Sequence, residues 1–232
     1  MGIKIAKHGN RSVSSLCGSS DLLTELGLEI NKKPGENENE FNATGFTFLF
    51  APQWHPSMKF AANVRKELGI RTVFNMLGPL ANPFHPAFQI VGVYSADIME
   101  KMVTVLIKLG IRKAVVCHSL DGLDEFSIFD KTEYLYYDGV KTHKLVFDPK
   151  NLNLPAMDRE QFFCKNREQA VLLAKKVLAG EEISGLYGVA LNSGVALFVA
   201  GAAETIESGF RMAFKHLKTG AVNEYLNKNF SK

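Results

Sequence analysis

Between residues 88 and 118 the chain runs strand, helix, strand with hardly a residue to spare. Gln89-Ile90-Val91-Gly92-Val93-Tyr94 reads as a strand, and residues 96–109 carry Met99, Met102, Val103, Leu106 and Ile107 on a helical period. Lys113-Ala114-Val115-Val116-Cys117-His118 is the next strand. A helix between two apolar strands is the crossover that parallel pairing requires. The pattern predicts an α/β fold, with a mostly parallel central sheet flanked by helices. Ligand sites in such sheets lie beyond the carboxyl ends of the strands, which directs attention to the loop after His118.

The rest of the chain extends the pattern. Residues 132–137 and 144–147 alternate like two further strands joined by a turn at Asp138-Gly139. Helices are expected over 167–179, 186–199, 206–217 and 222–226. Residues 186–199 are apolar nearly all round, the mark of a core helix, with Asn192 and Ser193 satisfied inside its packing. At the other end, residues 3–6 read as a short strand, 21–26 as a helix stopped by Gly27, and 46–51 as an aromatic strand. The polar run 32–40 reads as a solvated connection, either a mobile surface segment or one that leads into a short helix. Pro56 opens a helix to about residue 68, and Gly78-Pro79 and Asn82-Pro83 read as turns ending helices.

At 232 residues the chain suits one large domain or two small ones. A net charge of +3 is too small to argue for a nucleic-acid partner, and no apolar stretch reaches membrane-spanning length. Cys17, Cys117 and Cys164 are far apart and form no metal or redox spacing, which predicts reduced thiols. Met1 leads directly into the first strand without an apolar leader. A cytoplasmic protein is expected, with neither nucleic acid nor membrane as partner.

Three segments carry chemistry. Lys7-His8-Gly9-Asn10-Arg11-Ser12-Val13-Ser14-Ser15, continuing through Gly18-Ser19-Ser20-Asp21, joins a strand to a helix. It holds two cations, a histidine, two glycines, an asparagine and five serines. That surplus of donors suits an anion, although a serine-rich loop whose Ser19 or Ser20 merely caps a helix has the same composition. In the helix after Pro56, Arg65 falls in the middle of the apolar face formed by Met58, Ala61, Ala62 and Leu68. A long cation snorkels from such a position; alternatively it meets a carboxylate, the planar partner guanidinium binds best. Asp121-Gly122-Leu123-Asp124-Glu125 follows the strand ending at His118. It reads as a turn or as hard oxygen ligands for Mg²⁺.

Lys-His-Gly-Asn-Arg followed by Ser-Ser and Gly-Ser-x-Asp resembles the phosphoribosyl-pyrophosphate loop of anthranilate phosphoribosyltransferases. His55-Pro56 and residues 69–83 (Gly-Ile-Arg-Thr-Val-Phe-Asn-Met-Leu-Gly-Pro-Leu-Ala-Asn-Pro) resemble the same family, as does Gly-x-Asp-Glu at 122–125. The resemblance implies transfer of phosphoribosyl from phosphoribosyl pyrophosphate to the amine of anthranilate, within tryptophan synthesis. It implies that Lys7, His8, Gly9, Asn10, Arg11, Ser12, Val13, Ser14, Ser15 and Ser19 bind phosphoribosyl pyrophosphate. Asn10, His55, Arg65 and Gly78 would bind anthranilate, and Asp124 and Glu125 would hold Mg²⁺, leaving Asp121 as a turn residue. No covalent nucleophile is implied.

The resemblance covers residues 1–232 as one α/β domain, with 52–86 as the remnant of a small helical domain. In the family most of that helical domain, a glycine-rich GTGGD loop and an Asn-x-Ser-Thr segment come earlier in the chain. The expectation is a chain that is inactive or nearly so by itself and needs that part as a separate polypeptide. A homodimer remains open, since the family's dimer contact uses the helical domain. Two other functions stay in view: a related nucleoside phosphorylase or phosphoribosyltransferase with another base, which Arg65 argues against, and a non-catalytic binding or regulatory remnant.

Overall fold

The computed structural model describes residues 1–11, 17–60, 67 and 73–230. Its described residues divide into two compact units. Unit 1 comprises Met1–Pro86, Asn166–Val171 and Asn227–Lys232; unit 2 comprises Ala87–Lys165 and Leu172–Leu226.

Unit 1 is built on two parallel strands, β1 (Ile5–Gly9) and β2 (Phe46–Phe50), paired from Ile5 opposite Phe46 to Gly9 opposite Phe50. The first strand starts later than its apolar residues suggest and takes in Lys7, His8 and Gly9, because pairing with β2 carries it to the end of that strand. Helix α1 (Ser19–Glu25) begins where the Gly18 N–H donates to the Asp21 carboxylate at 3.1 Å.

The polar run proves to be a helix, α2 (Pro34–Thr44), with Pro34 in its favoured first position and Gly45 closing it at φ +81°. Its anchor is Asn37, fully buried, whose amide donates to the Thr47 hydroxyl at 2.9 Å and the Phe48 carbonyl at 3.1 Å. The Asn37 side-chain oxygen accepts from the Trp54 indole at 3.1 Å. Lys32, just ahead of the helix, adds an ion pair with Glu40 on it.

A four-residue helix, α3 (Ala51–Trp54), and a 3₁₀ turn (Pro56–Met58) follow β2. Most of the expected amphipathic helix, Arg65 included, lies outside the described residues. Helix α4 (Phe74–Leu80) contains Gly78-Pro79, which sequence reading takes for a turn. Pro79 removes one backbone hydrogen bond near the end of the helix, which stops one residue later.

Unit 2 contains a four-stranded sheet, β3 (Phe88–Gly92), β4 (Lys113–Ser119), β5 (Thr132–Tyr137) and β6 (Thr142–Phe147), in that order. β3 and β4 run parallel through the crossover helix α5 (Met99–Lys108), while β4–β5 and β5–β6 are antiparallel. The α/β class holds, and the hairpin makes this sheet mixed. Ala114, Val115, Val116 and Cys117 are at most 1% exposed, so both faces of β4 are covered; α5 and α7 (Ser184–Val199) both pack on it.

Helix α6 (Arg167–Leu178) precedes α7, and α8 (Ile206–Lys218) and α9 (Ala221–Phe230) complete the chain's described elements. The α7–α8 crossing is glycine on glycine. A Cβ on Gly194 would lie 2.4 Å from the Phe210 nitrogen, and one on Gly209 would lie 2.4 Å from the Gly194 carbonyl oxygen. Among the described residues no helix is long and apolar enough to cross a membrane.

Candidate functional site

In unit 1 the donor-rich segment starts inside β1. Lys7 and Arg11 are exposed cations, and the Arg11 guanidinium lies 5.9 Å from the Phe50 ring centroid. The Arg11 N–H donates to the Asn10 side-chain oxygen at 2.8 Å, and the buried Ser20 hydroxyl donates to the Asn10 carbonyl at 3.3 Å. That last bond joins the end of the strand to the start of α1, bringing the two ends of the loop together. Ser19, exposed, stands at the first turn of α1. Gly9 permits a close approach, since a Cβ there would sit 3.1 Å from the Phe48 ring. Ser12, Val13, Ser14 and Ser15 lie outside the described residues.

The same unit gathers His8, His55 and Gly78. The His8 Nδ1 lies 3.0 Å from the Gly78 carbonyl oxygen, across 70 residues of chain. The His8 and His55 rings meet edge to face at 5.0 Å, and the His55 Nε2 lies 3.0 Å from the Ala81 carbonyl oxygen. A carbonyl oxygen only accepts, so His8 carries its proton on Nδ1 and presents a lone pair on Nε2. That Nε2 is buried and has no hydrogen-bond partner among the described residues. Burial holds the imidazole below its ordinary pKa; the bond to Gly78 opposes this and the neighbouring His55 adds to it. Asn82 fastens the same segment by donating to the Ala6 carbonyl at 3.0 Å. Two residues assigned to anthranilate thus meet a histidine assigned to the phosphate loop.

In unit 2 the acidic loop follows β4. Asp124 and Glu125 are exposed, while the backbone that carries them is gripped. The Asp124 carbonyl oxygen lies over Gly92, where an added Cβ would be only 1.5 Å away. Phe126 is 1% exposed and packs against Tyr134 and Phe147 with ring centroids 5.2 and 5.6 Å away. Its N–H donates to the Asn192 side-chain oxygen at 3.0 Å, and its carbonyl accepts from the Asn192 amide at 2.9 Å.

Asp121 does more than turn the chain. Its side chain is 2% exposed and accepts from the Ser127 hydroxyl at 2.7 Å, with the Arg159 guanidinium 3.5 Å away. Burial opposes its charge, but hydrogen bonds from Ser127 and Ser119 outweigh that and hold its pKa below the usual range. Beneath the loop the Cys117 thiol is pushed up to about 12, chiefly by burial and further by Asp124 and Glu125. Exposed paired carboxylates on a fixed backbone fit a hard cation. Among the described residues no three His, Cys, Asp or Glu side chains cluster, so a bound Mg²⁺ would complete its shell with substrate oxygens and water.

Residues 1–223 match the glycosyl transferase family α/β domain. The anthranilate phosphoribosyltransferase of Lacticaseibacillus paracasei is 40% identical over 227 residues, covering 98% of this chain and 67% of that protein. The chain belongs to the anthranilate phosphoribosyltransferase family.

The solved Thermus thermophilus family member superposes with a TM-score of 0.89 at 34% identity, over 99% of this chain and 68% of that one. The Saccharomyces cerevisiae enzyme, solved with phosphoribosyl pyrophosphate and Mg, gives a TM-score of 0.85 at 27% identity, over 99% of this chain and 64% of that one. Its complex with 4-fluoroanthranilate gives 0.84 at 26%, with the same coverage. This chain spans about two thirds of the length of the curated relatives it matches. The family is one of pentosyltransferases.

Asn192, Gly92 and Asp121 build the acidic loop, whereas sequence reading assigns them only to helix packing, a strand and a turn. The available signals were a lone amide in an apolar helix and a glycine inside a buried strand.

Proposed function

We propose that the chain binds phosphoribosyl pyrophosphate with Mg²⁺ and anthranilate for transfer of the phosphoribosyl group to the anthranilate amine with release of pyrophosphate, a reaction in which residues 1–232 by themselves are inactive or nearly so. The convergence within unit 1 carries this reading: His8, at the foot of the donor-rich loop, meets Gly78 and His55 from a distant motif. The family relationship and the ligands of the yeast enzyme support it.

The carbon–oxygen bond to pyrophosphate breaks as positive charge grows on the ribose and negative charge grows on the leaving group. Lys7, Arg11, Ser12, Ser14, Ser15 and Ser19 stabilise that anion by charge and hydrogen-bond donation. Mg²⁺, when bound to Asp124 and Glu125, supplies further positive charge to the pyrophosphate oxygens. Asn10 and Arg65 orient anthranilate, Arg65 through its carboxylate, so that the amine faces the ribose carbon. The His8 Nε2 lone pair suits an N–H donor, which the acceptor's amine provides.

Calorimetric titration tests this. The chain should bind phosphoribosyl pyrophosphate in a Mg²⁺-dependent way and then anthranilate, with no response to single-stranded DNA. Arg65→Ala should weaken anthranilate binding about tenfold or more, the worth of a charged hydrogen bond, and leave the sugar phosphate nearly unaffected. Equal loss of both ligands, or binding of DNA in their place, overturns the reading.

A further inference from the structure

We propose that Asn192 is the positioning residue for the acidic pair, fixing the backbone that presents Asp124 and Glu125 to Mg²⁺; this rests on the metal reading above. Asn192 sits in α7, whose other residues are overwhelmingly apolar or small, and α7 packs on β3 and β4. A lone amide in such a helix must find partners. One of its N–H groups reaches back to the Gly188 carbonyl at 3.1 Å, which any helical asparagine could do. The rest of the amide is spent on a loop 66 residues earlier, taking both the N–H and the C=O of Phe126.

The two bonds act like one extra rung of sheet, made by a side chain. They fix the peptide units on either side of Phe126, directly after Glu125. On the other side of Glu125, the Asp124 carbonyl oxygen lies against Gly92, with no space for a methyl group. The acidic pair is therefore held from both ends by backbone contacts, while its carboxylates stay exposed. A metal site needs such support, because ligands carried on a fixed backbone are presented to the cation in a constant geometry.

The test compares Mg²⁺ half-saturation for phosphoribosyl pyrophosphate binding across variants, with thermal unfolding followed in parallel. Asn192→Ala should raise the half-saturating Mg²⁺ concentration about 10–100-fold, the usual effect of losing an outer partner of a metal ligand. Binding measured without Mg²⁺ should not change. Asn192→Leu keeps the volume while removing both bonds and should do the same, which covers an alanine variant that fails to fold. Leu197→Ala opens a cavity in the same helix, where Leu197 is 4% exposed; it should lower the unfolding temperature and leave Mg²⁺ dependence alone.

If Asp124→Asn weakens Mg²⁺ dependence but both Asn192 variants match the wild type, the role of Asn192 is overturned and the acidic pair stands. If Leu197→Ala shifts Mg²⁺ dependence as much as Asn192→Ala, Asn192 acts only through stability and the inference fails. A wild-type chain whose sugar-phosphate affinity ignores Mg²⁺ overturns the metal reading and this inference with it.

Discussion

In unit 1 the two candidate histidines are secured through their own side chains, whereas in unit 2 the acidic pair is secured through its backbone. His8 and His55 are anchored by ring nitrogens against the Gly78 and Ala81 carbonyls. Asp124 and Glu125 are held by Gly92 beneath one peptide and by Asn192 across Phe126. A side chain that is itself the anchor responds to pH, since protonation changes what it can accept. A backbone anchor is indifferent to pH but tolerates no added atom where chains touch. The first arrangement suits groups that meet an organic ligand, and the second suits ligands for a cation.

The sharpest attack on the comparison is Gly92→Ala. The new methyl must displace the Asp124 carbonyl, so we expect about 1–3 kcal/mol of lost stability in urea denaturation and a tenfold or greater loss of Mg²⁺-dependent sugar-phosphate binding. Gly35→Ala is its counterpart in unit 1: nothing lies within 4 Å of the added Cβ, inside α2. That variant should gain about 0.5–1 kcal/mol. A Gly92→Ala chain as stable and as Mg²⁺-responsive as the wild type would dissolve the contrast.

Next in size is Asn37→Ala, which removes the partner of the half-buried Trp54 indole N–H and a donor to the buried Phe48 carbonyl. We expect a cost of about 2 kcal/mol, read from the urea midpoint, with Mg²⁺ dependence unchanged. A matching loss of Mg²⁺ response would show that the metal loop depends on general stability rather than on its local anchors.

The smallest effect is a pH dependence. The folded state holds the His8 pKa below its unfolded value, about 6.5. Below that pH the unfolded chain binds more protons at this site, so the contribution of His8 to stability is complete above it. The contribution is lost as pH falls from there toward the lowered folded value. His8→Asn should therefore flatten the fall in melting temperature between about pH 7 and about pH 5.5. An identical slope in both proteins would mean that His8 is not an anchor of the kind described.

Much of unit 2 was legible in the sequence because its signals are local. The strand over 132–137 coincides with β5, and the crossover helix needed only its apolar period. Unit 1 was harder. The polar run that becomes α2 has no apolar stripe of its own, and its helix rests on one amide reaching β2 and Trp54. Gly78-Pro79 carries every mark of a turn, yet it lies in α4, the helix whose Gly78 carbonyl receives the His8 N–H. Asp121 looked like turn chemistry until its carboxyl proved buried beneath Ser127 and Arg159.

The β3–α5–β4 crossover was settled by local composition: two apolar strands and an amphipathic helix leave few alternatives to a parallel pair. The same holds for the residue types of the anion loop and the acidic pair, because donor-rich and acid-rich chemistry is written in the side chains themselves. Only tertiary structure decided what holds those groups in place. Gly92 matters because a peptide 32 positions later lies against it, and Asn192 because it meets Phe126 across 66 residues. Contacts of that kind leave no periodic trace along a chain, since each depends on where two distant backbones come to rest.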